Sequence, residues 1–167
     1  MIKDVEGNLL TYPGLKVIGH QTNCLGVMGA GIAKQIKEQN PKLFEKYKSH
    51  CDEISDNHLL LGTVQFLPTD NMKQIVANLF GEYSFCESIA PFYEGGKSRH
   101  TDYVALKECF HRLHTWMVLH DVETAGIPYK IGCGLAGGDW DGVVYPMIKE
   151  EFGDDEDITL YIVKYNK

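Results

Sequence analysis

The chain of 167 residues has the length of one domain, carries a net charge of −7 and contains five cysteines. An odd number of scattered cysteines without a CxxC pair disfavours a disulfide framework and a thiolate zinc site, and it indicates a reducing compartment. The excess of acidic over basic residues argues against nucleic acid polymers as partners. No apolar run approaches the roughly 20 residues of a membrane helix, so we expect a cytoplasmic protein with no membrane partner.

The first half of the chain predicts a strand, a glycine-rich loop and two helices. Residues 16–20, KVIGH, predict a short strand of the buried type. Residues 23–33, NCLGVMGAGIA, follow with three glycines and no charge, which indicates that a ligand approaches the backbone closely. Helical spacing runs from Ile32 to Lys37, and Pro41 opens a second helical pattern because proline is tolerated in a first turn. Two strand-like runs follow, at residues 63–67 and 75–80.

The second half begins with a long aperiodic segment and then returns to alternating elements. Residues 81–100 show neither the helical nor the strand periodicity of apolar residues, so the sequence predicts a loop with a functional or mobile role. Pro146 falls inside the last predicted helix, where we expect it to cost a hydrogen bond and to kink the helix. The predicted elements are a helix from a cap at Thr101 or Asp102 to about His120, a strand at residues 124–128, a glycine-rich loop at residues 132–138, a helix that ends at Phe152 and a strand at residues 159–163.

Both glycine-rich loops are predicted to lie at the same edge of one sheet. Strands that alternate with helices predict a mostly parallel sheet covered on both faces, and ligands of such sheets bind beyond the carboxyl ends of the strands. We expect the loops at residues 26–32 and 132–137 to close on one diphosphate, because small residues before a helix let backbone amides reach phosphate oxygens. The first loop is not a dinucleotide fingerprint, since Lys34 stands where the last glycine is needed. Residues 95–98 mimic the end of a P-loop, but Pro91 replaces its first glycine.

Covalent and metal chemistry have little support in the sequence. There is no GxSxG elbow, and Cys133 lacks the arginine that a thiolate phosphatase loop carries six residues later. His111 and His114 are three residues apart on a predicted helix, but no carboxylate or cysteine in register completes a metal site. We therefore expect packed or solvated histidines there, no metal site and no cofactor.

Four polar residues beside the two loops are candidates for function. His20 and Asn23 follow a buried strand at the first loop, and His20 is either a hydrogen-bonded structural histidine or a functional one. Asp139 and Asp141 flank the second loop. One of these two aspartates is expected to cap the following helix, and the other is a candidate for function.

With both loops considered together, the chain resembles a macro domain, the ADP-ribose-binding fold. The family pattern reads here as VEGNLL after an N-terminal strand, VIGHQTN, GVMGAGIA and IPYKIGCGLAGGDW, in family order and over nearly the whole chain. The resemblance implies a three-layer α/β/α fold with a mixed, mostly parallel central sheet, formed by residues 1–167 as a single domain. Within the family the chain looks closest to the compact branch that contains terminal ADP-ribose protein glycohydrolases and ADP-ribose 1''-phosphate phosphatases, and ANLFGE fits that branch.

The resemblance implies that both loops wrap the diphosphate of ADP-ribose through backbone amides. Asn23 would face the distal ribose, and Tyr165 would either stack on adenine or be an ordinary packed or surface tyrosine. Asn8 stands where the family has an aspartate that accepts from the adenine amino group, so adenine selectivity is weakened by its NH₂ group. The implied binding residues are Asn8, Leu9, Gly26, Val27, Met28, Gly29, Ala30, Gly31, Ile32, Cys133, Gly134, Leu135, Ala136, Gly137 and Tyr165.

The same resemblance favours phosphomonoester hydrolysis of ADP-ribose 1''-phosphate. Glycohydrolase members use a lysine after the fourth strand and an aspartate directly after GCGL, whereas this chain has NLFGEY and Ala136 there. Phosphatase members carry a histidine at the position of His20. The implied reaction uses His20 as general acid or base, Asn23 to orient the ribose and Asp139 to orient water or polarise His20. Removal of ADP-ribose from protein or nucleic acid ends, and binding of ADP-ribose without turnover, stay open as alternatives.

Overall fold

The computed structural model describes residues 1–86 and 90–166, and its predicted strands are confirmed with ends that differ by at most two residues. The strands are β1 (Ile2–Gly7), β2 (Val17–Gln21), β3 (Val64–Pro68), β4 (Ile75–Leu79), β5 (Phe92–Glu94), β6 (Lys97–Arg99), β7 (Thr124–Pro128) and β8 (Thr159–Tyr165). The α-helices are α1 (Gly31–Gln39), α2 (Pro41–Glu53), α3 (Tyr103–Leu119) and α4 (Tyr145–Phe152).

Six of the strands form the central sheet in the order β1, β8, β7, β2, β4 and β3. In this order, every pair of neighbouring strands from β1 through β8, β7 and β2 to β4 is parallel. At the edge of the sheet, β3 pairs antiparallel with β4. The sheet is therefore mixed and mostly parallel, as the resemblance implies. The parallel arrangement brings the carboxyl ends of β2, β4 and β7 to one edge, where the segments that follow them can share a site.

Helices cover both faces of this sheet, and the alternation along β4 shows how. Ala77 and Leu79 belong to the cluster that contains the buried faces of α3 and α4, whereas Val76 and Phe80 belong to the cluster of α1 and α2. Successive side chains of a strand point to opposite faces, so one apolar strand contributes to both layers of core. Within the described residues, no helix is both long and apolar enough to cross a bilayer.

The predicted loop at residues 81–100 is wrong for its last part. Strands β5 and β6 form an antiparallel hairpin there, with Phe92 opposite Arg99. Three-residue strands are too short to produce an alternating hydrophobic pattern, and most side chains of this hairpin are exposed, so periodicity could not find it. Residues 87–89 of the predicted loop lie outside the described residues.

The predicted helix that ends at Phe152 is divided into two pieces. Residues Trp140–Val144 form a π-helical turn, and α4 begins only at Tyr145. Pro146 therefore lies in the first turn of α4, where proline is tolerated, and not in the interior of one long helix as predicted. Both predicted caps are present, since Asp139 Oδ1 accepts from Gly142 N at 3.0 Å and Asp102 Oδ1 accepts from Ala105 N at 3.0 Å.

Two histidines of α3 are paired with carboxylates near the chain end. His111 Nδ1 lies 2.5 Å from Glu151 Oε1, and His114 Nε2 lies 2.7 Å from Asp155 Oδ2. The ring of His114 also packs against Phe152 at 4.8 Å. The sequence alone could not predict these two pairs, because Glu151 and Asp155 are far from the histidines along the chain. They come close to α3 only when α4 packs against it.

We expect the pairing of Asp155 with His114 to make stability fall in acid. The hydrogen bond from His114, helped by backbone amides, holds the pKa of Asp155 below its ordinary value. A lowered folded-state pKa contributes stability that is present above about pH 4 and is lost as the pH falls through that lowered pKa. Chemical denaturation at neutral and acid pH should show that Asp155→Asn loses less free energy of unfolding on acidification than the wild type, by about 1 kcal/mol.

The exposed neighbour Asp154 offers the control for this measurement. Asp154→Asn removes the same charge from the same turn without touching His114, so its acid sensitivity should equal that of the wild type. Equal acid sensitivity in all three proteins would contradict the assignment of the lost stability to Asp155.

Candidate functional site

A cavity of about 640 Å³ opens beyond the carboxyl ends of β2, β4 and β7. It contains ten of the residues that the resemblance implies for the site, and a larger groove of about 820 Å³ on α3 and α4 contains none of them. The ten are His20, Asn23, Val27, Gly29, Ala30, Gly31, Ile32, Gly134, Leu135 and Ala136. The two glycine-rich loops thus face one cavity from different parts of the chain.

The first loop ends in a helix start that has no internal cap. Ala30 is the N-cap residue of α1 in an extended conformation, and no side chain of the described residues accepts a hydrogen bond from the first turn. The first turn of α1 also contains no acidic residue. The first amides of a helix carry partial positive charge and need an acceptor, so this end of α1 suits an anion.

The second loop is held from behind through its carbonyl groups. His100 N and Thr101 N donate to Ala136 O at 2.8 and 3.2 Å, and Thr101 Oγ1 donates to Gly132 O at 2.6 Å. With the carbonyls engaged on that side, the N–H groups of Gly134, Leu135 and Ala136 donate to no acceptor in the part of the chain that is described. This loop too presents unpaired amides in the lining of the cavity.

The hairpin of β5 and β6 supports the second loop through Arg99. The buried guanidinium of Arg99 stacks between Phe92 and Tyr103, at 4.2 and 3.8 Å from the ring centres, and pairs with Glu94 Oε1 at 3.1 Å. Arg99 is followed directly by the two residues whose amides hold Ala136 O. The stacked guanidinium therefore fixes the segment against which the second loop rests.

Asn23 shapes the first loop with nearly all of its hydrogen-bonding capacity. Its Oδ1 accepts from Leu25 N at 3.0 Å and from Val27 N at 3.3 Å, and its Nδ2 donates to Val27 O at 2.8 Å. The hydroxyl of Tyr47 lies 3.1 Å from the same Oδ1 and 2.7 Å from Asn23 O. One Nδ2 hydrogen of Asn23 remains for a ligand, so the residue can both form the loop and touch what the loop binds.

His20 is a buried, neutral histidine that lines the cavity. Its Nε2 lies 2.6 Å from Asn78 Oδ1, and Asn78 Nδ2 donates to Gln65 Oε1 at 3.1 Å, which makes Nε2 the protonated nitrogen. Burial lowers the pKa of His20 to about 4, against the opposing effect of the Asn78 bond. Its Nδ1 is buried without a partner among the described residues. At neutral pH, Nδ1 is therefore a hydrogen-bond acceptor and a base.

The structure does not bring Asp139 to His20. Asp139 is absent from the cavity lining, and its carboxylate caps the π-helical turn through Gly142 N. The partner of the His20 ring is instead the uncharged amide of Asn78. The expected polarisation of His20 by Asp139 is wrong, because the helical turn after the second loop takes up that carboxylate.

Four residues implied for the loops are not part of the cavity lining. Gly26 and Met28 are buried against the layer of α1 and α2, and Cys133 Sγ donates to Ile131 O at 3.3 Å. Burial raises the pKa of the Cys133 thiol to about 12, which disfavours a thiolate nucleophile. Gly137 packs against the β5–β6 hairpin.

The residues implied for the adenine end lie together at the sheet edge, outside the described cavity. Tyr165 of β8 is opposite Gly7 of β1 and is 67% exposed. Asn8 follows Gly7, and its Oδ1 accepts from Leu10 N at 3.0 Å. Leu9 is buried in a small apolar cluster beside β1 and β8. The exposed ring of Tyr165 is free to receive a flat ligand, whereas the oxygen of Asn8 is already engaged in a turn.

Sequence reasoning missed several polar residues of the cavity, above all Glu82 and His100. Burial raises the pKa of Glu82 to about 7. His100 is 3% exposed, and neither of its ring nitrogens has a partner within the described ranges. Both residues come from the aperiodic segment, and a single carboxylate after an apolar strand was the sole signal for Glu82.

We expect Gly137→Ala to destabilise the protein by about 1–3 kcal/mol. Gly137 has a φ of +79°, and a Cβ there would lie 2.6 Å from Ser98 O, so the second loop and the hairpin would have to separate. Gly134→Ala is the matched control, because a Cβ at Gly134 meets no atom within 4 Å. Denaturant unfolding of both variants measures the difference, and equal free energies of unfolding would contradict this role of Gly137.

Comparison with known proteins connects this site to a family. The family model described as Macro domain matches residues 20–147. An ADP-ribose 1''-phosphate phosphatase of Scheffersomyces stipitis is 36% identical over 75 residues, which cover 41% of this chain and 43% of that protein. The enzyme of the same description from Aspergillus oryzae is 38% identical over 52 residues, which cover 31% of this chain and 26% of that protein. The chain thus matches less than half the length of either relative.

Solved structures share the fold over nearly the whole chain. A Bacteroides thetaiotaomicron protein of unknown function has a TM-score of 0.76 and 26% identity, and covers 98% of both chains. The macrodomain of Mycobacterium tuberculosis DarG has a TM-score of 0.77 and 21% identity, covering 100% of this chain and 99% of that one. Thermosipho africanus DarTG in complex with ADP-ribose has a TM-score of 0.66 and 16% identity, covering 89% of this chain and 38% of that one.

Proposed function

The chain belongs to the macro domain family, and we propose that it binds ADP-ribose and hydrolyses ADP-ribose 1''-phosphate to ADP-ribose and inorganic phosphate. The observation that carries the proposal is that two sets of backbone amides without acceptors line one cavity. One set lies at the start of α1 and the other lies in the second loop. Amides that converge from two loops match the several oxygens of a diphosphate. The activity named for the curated relatives, and the ADP-ribose held by a neighbour of the same fold, support this choice of ligand.

The charge of the site favours recognition through the backbone. Among the described residues that line the cavity, Lys130 is the single lysine or arginine, while the whole chain carries a net charge of −7. A diphosphate brought into such a cavity must have its charge met by amide dipoles and by the end of α1. Loops built in this way select a compact diphosphate and do not favour an extended polyanion, which needs rows of basic side chains.

His20 is the proposed base of the reaction. Its unpartnered Nδ1 can accept a hydrogen bond from the attacking water or from a hydroxyl of the distal ribose, and Asn78 keeps the ring in the tautomer that leaves Nδ1 without a proton. Asn23 would hold the ribose with its remaining Nδ2 hydrogen, so that the same residue forms the loop and orients the sugar.

Ala30→Asp should stabilise the protein and weaken ADP-ribose binding at the same time. A carboxylate at the N-cap of α1 would accept from the first-turn amides and stabilise the helix by about 1 kcal/mol. It would also occupy the amides needed by the diphosphate and repel its charge. Calorimetry should show a loss of affinity of about ten-fold or more.

Ala30→Ser is the matched control for the charge. A serine caps the same amides without a negative charge, so it should stabilise α1 with a smaller loss of affinity than aspartate causes. Wild-type affinity for ADP-ribose in Ala30→Asp would contradict the proposed diphosphate site.

His20→Ala should lower the turnover of ADP-ribose 1''-phosphate by about 10²–10⁴-fold, because general base help is worth that much. The affinity for ADP-ribose should stay near the wild-type value, since the diphosphate is held by the loops. Phosphate release measures turnover, and an ADP-ribosylated carboxylate tested in parallel measures glycohydrolase activity. An unchanged turnover number would remove His20 from the reaction.

The wild type itself separates the three functions left open by the sequence. Release of phosphate supports the proposed reaction, and release of ADP-ribose from the modified carboxylate alone would replace it with de-ADP-ribosylation. Binding of ADP-ribose without either release would make the protein a reader.

A further inference from the structure

Glu82 follows β4 on a closely fixed backbone. Its backbone forms an antiparallel bridge with Thr101, and Asp102 N donates to Gly81 O at 2.8 Å. The thiol of Cys24 donates to Glu82 O at 3.4 Å. A Cβ on the preceding Gly81 would collide with the side chain of Gln21. The position of Glu82 at the cavity is therefore defined from several sides.

Glu82 lines the cavity, and its carboxyl group has no partner among the described residues. Neither a hydrogen bond nor an ion pair engages its oxygens in the described part of the chain, although the residue is half-buried. Burial without a compensating cation raises the pKa of this carboxyl to about 7. A carboxyl that holds its proton near neutral pH, in the same cavity as two sets of unpaired amides, has the properties of a proton donor.

His20 cannot fill this role in the same structure. Its pKa is lowered to about 4, so its Nδ1 carries no proton at neutral pH, and its Nε2 proton is directed at Asn78. Burial acts in opposite directions on the two groups, because it favours the uncharged form of each. The uncharged form of histidine is a base, and the uncharged form of glutamate is an acid.

We propose that Glu82 is a further catalytic residue of this cavity, the general acid that protonates the ribose oxygen as the bond to the phosphate breaks. This assignment rests on the proposed function. In the step, water attacks phosphorus while the bond from phosphorus to the 1'' oxygen breaks, and the bonding electron pair stays on that oxygen. The proton of the Glu82 carboxyl passes to the oxygen and completes the 1'' hydroxyl of ADP-ribose. The water gives up one proton as it bonds to phosphorus, and a proton returned to Glu82 closes the cycle with one water consumed.

Other titratable groups also face this cavity. They are His20 at the end of β2, His100 before α3, and Tyr129 and Lys130 after β7, with the buried Cys24 thiol beneath the Glu82 carbonyl. The pKa of Cys24 is raised to about 12 by burial, which removes it from neutral pH. His100 is the group that most needs a control, because its two ring nitrogens are buried without partners among the described residues.

The test compares the wild type with Glu82→Gln, Glu82→Asp and His100→Gln. Phosphate release from ADP-ribose 1''-phosphate gives kcat across neutral pH, and calorimetry gives the affinity for ADP-ribose. A general acid must hold its proton, so the wild-type kcat should fall as the pH rises through about 7. Glu82→Gln should lower kcat by about 10²–10⁴-fold and abolish this fall, with the affinity for ADP-ribose retained.

The two remaining variants separate catalysis from structure. Glu82→Asp keeps an acid and should retain a pH-dependent kcat between those of the wild type and Glu82→Gln. His100→Gln should keep the fall of kcat with rising pH. If Glu82→Gln has the wild-type kcat and pH profile, the assignment of Glu82 is overturned and the proposed function stays intact. If Glu82→Gln does not fold, the same result with Glu82→Asp decides. Loss of the pH dependence in His100→Gln alone would assign the proton to His100 instead. A wild type that releases no phosphate would overturn both the proposed function and the role of Glu82.

Discussion

The structure depends on a rule that applies to every backbone, which is that each buried carbonyl and amide needs a partner. The second glycine-rich loop meets this rule unevenly. Its carbonyls at Gly132 and Ala136 are satisfied by Thr101 and His100, and its amides at 134–136 are left for the cavity. The first loop reaches the same result through the uncapped start of α1. Two backbone segments with unpaired donors then line one cavity, which is the arrangement that the proposed diphosphate site requires.

Glycine and other small residues make this arrangement possible because they let backbone segments approach closely. Gly137 packs directly on the hairpin of β5 and β6, which is itself held by the stacked guanidinium of Arg99. Hydrophobic periodicity does not predict this hairpin, yet the hairpin supports the second glycine-rich loop, which the sequence does predict. Support of this kind comes from tertiary contacts, since the hairpin and the second loop are far apart along the chain.

The same burial that builds the core determines the chemistry of the cavity. His20 and Glu82 lie at the ends of neighbouring strands, and both are driven toward their uncharged forms. The base and the acid that we propose therefore need no ion pair to set their protonation. The aspartate that the sequence assigned to this task, Asp139, is used instead to cap a helical turn.

The sequence by itself determined the strands of the central sheet, most helix positions, the sheet class and the two glycine-rich loops, because hydrophobic periodicity and glycine content are local properties of the chain. It also determined the family, since four motifs occur in family order. Only the tertiary structure decided that Pro146 lies in the first turn of α4, that residues 92–99 form a hairpin, and that Asn78 is the partner of His20. The protonation of Glu82 was likewise decided there, because burial depends on what the rest of the chain places around a residue and cannot be read from its neighbours in sequence.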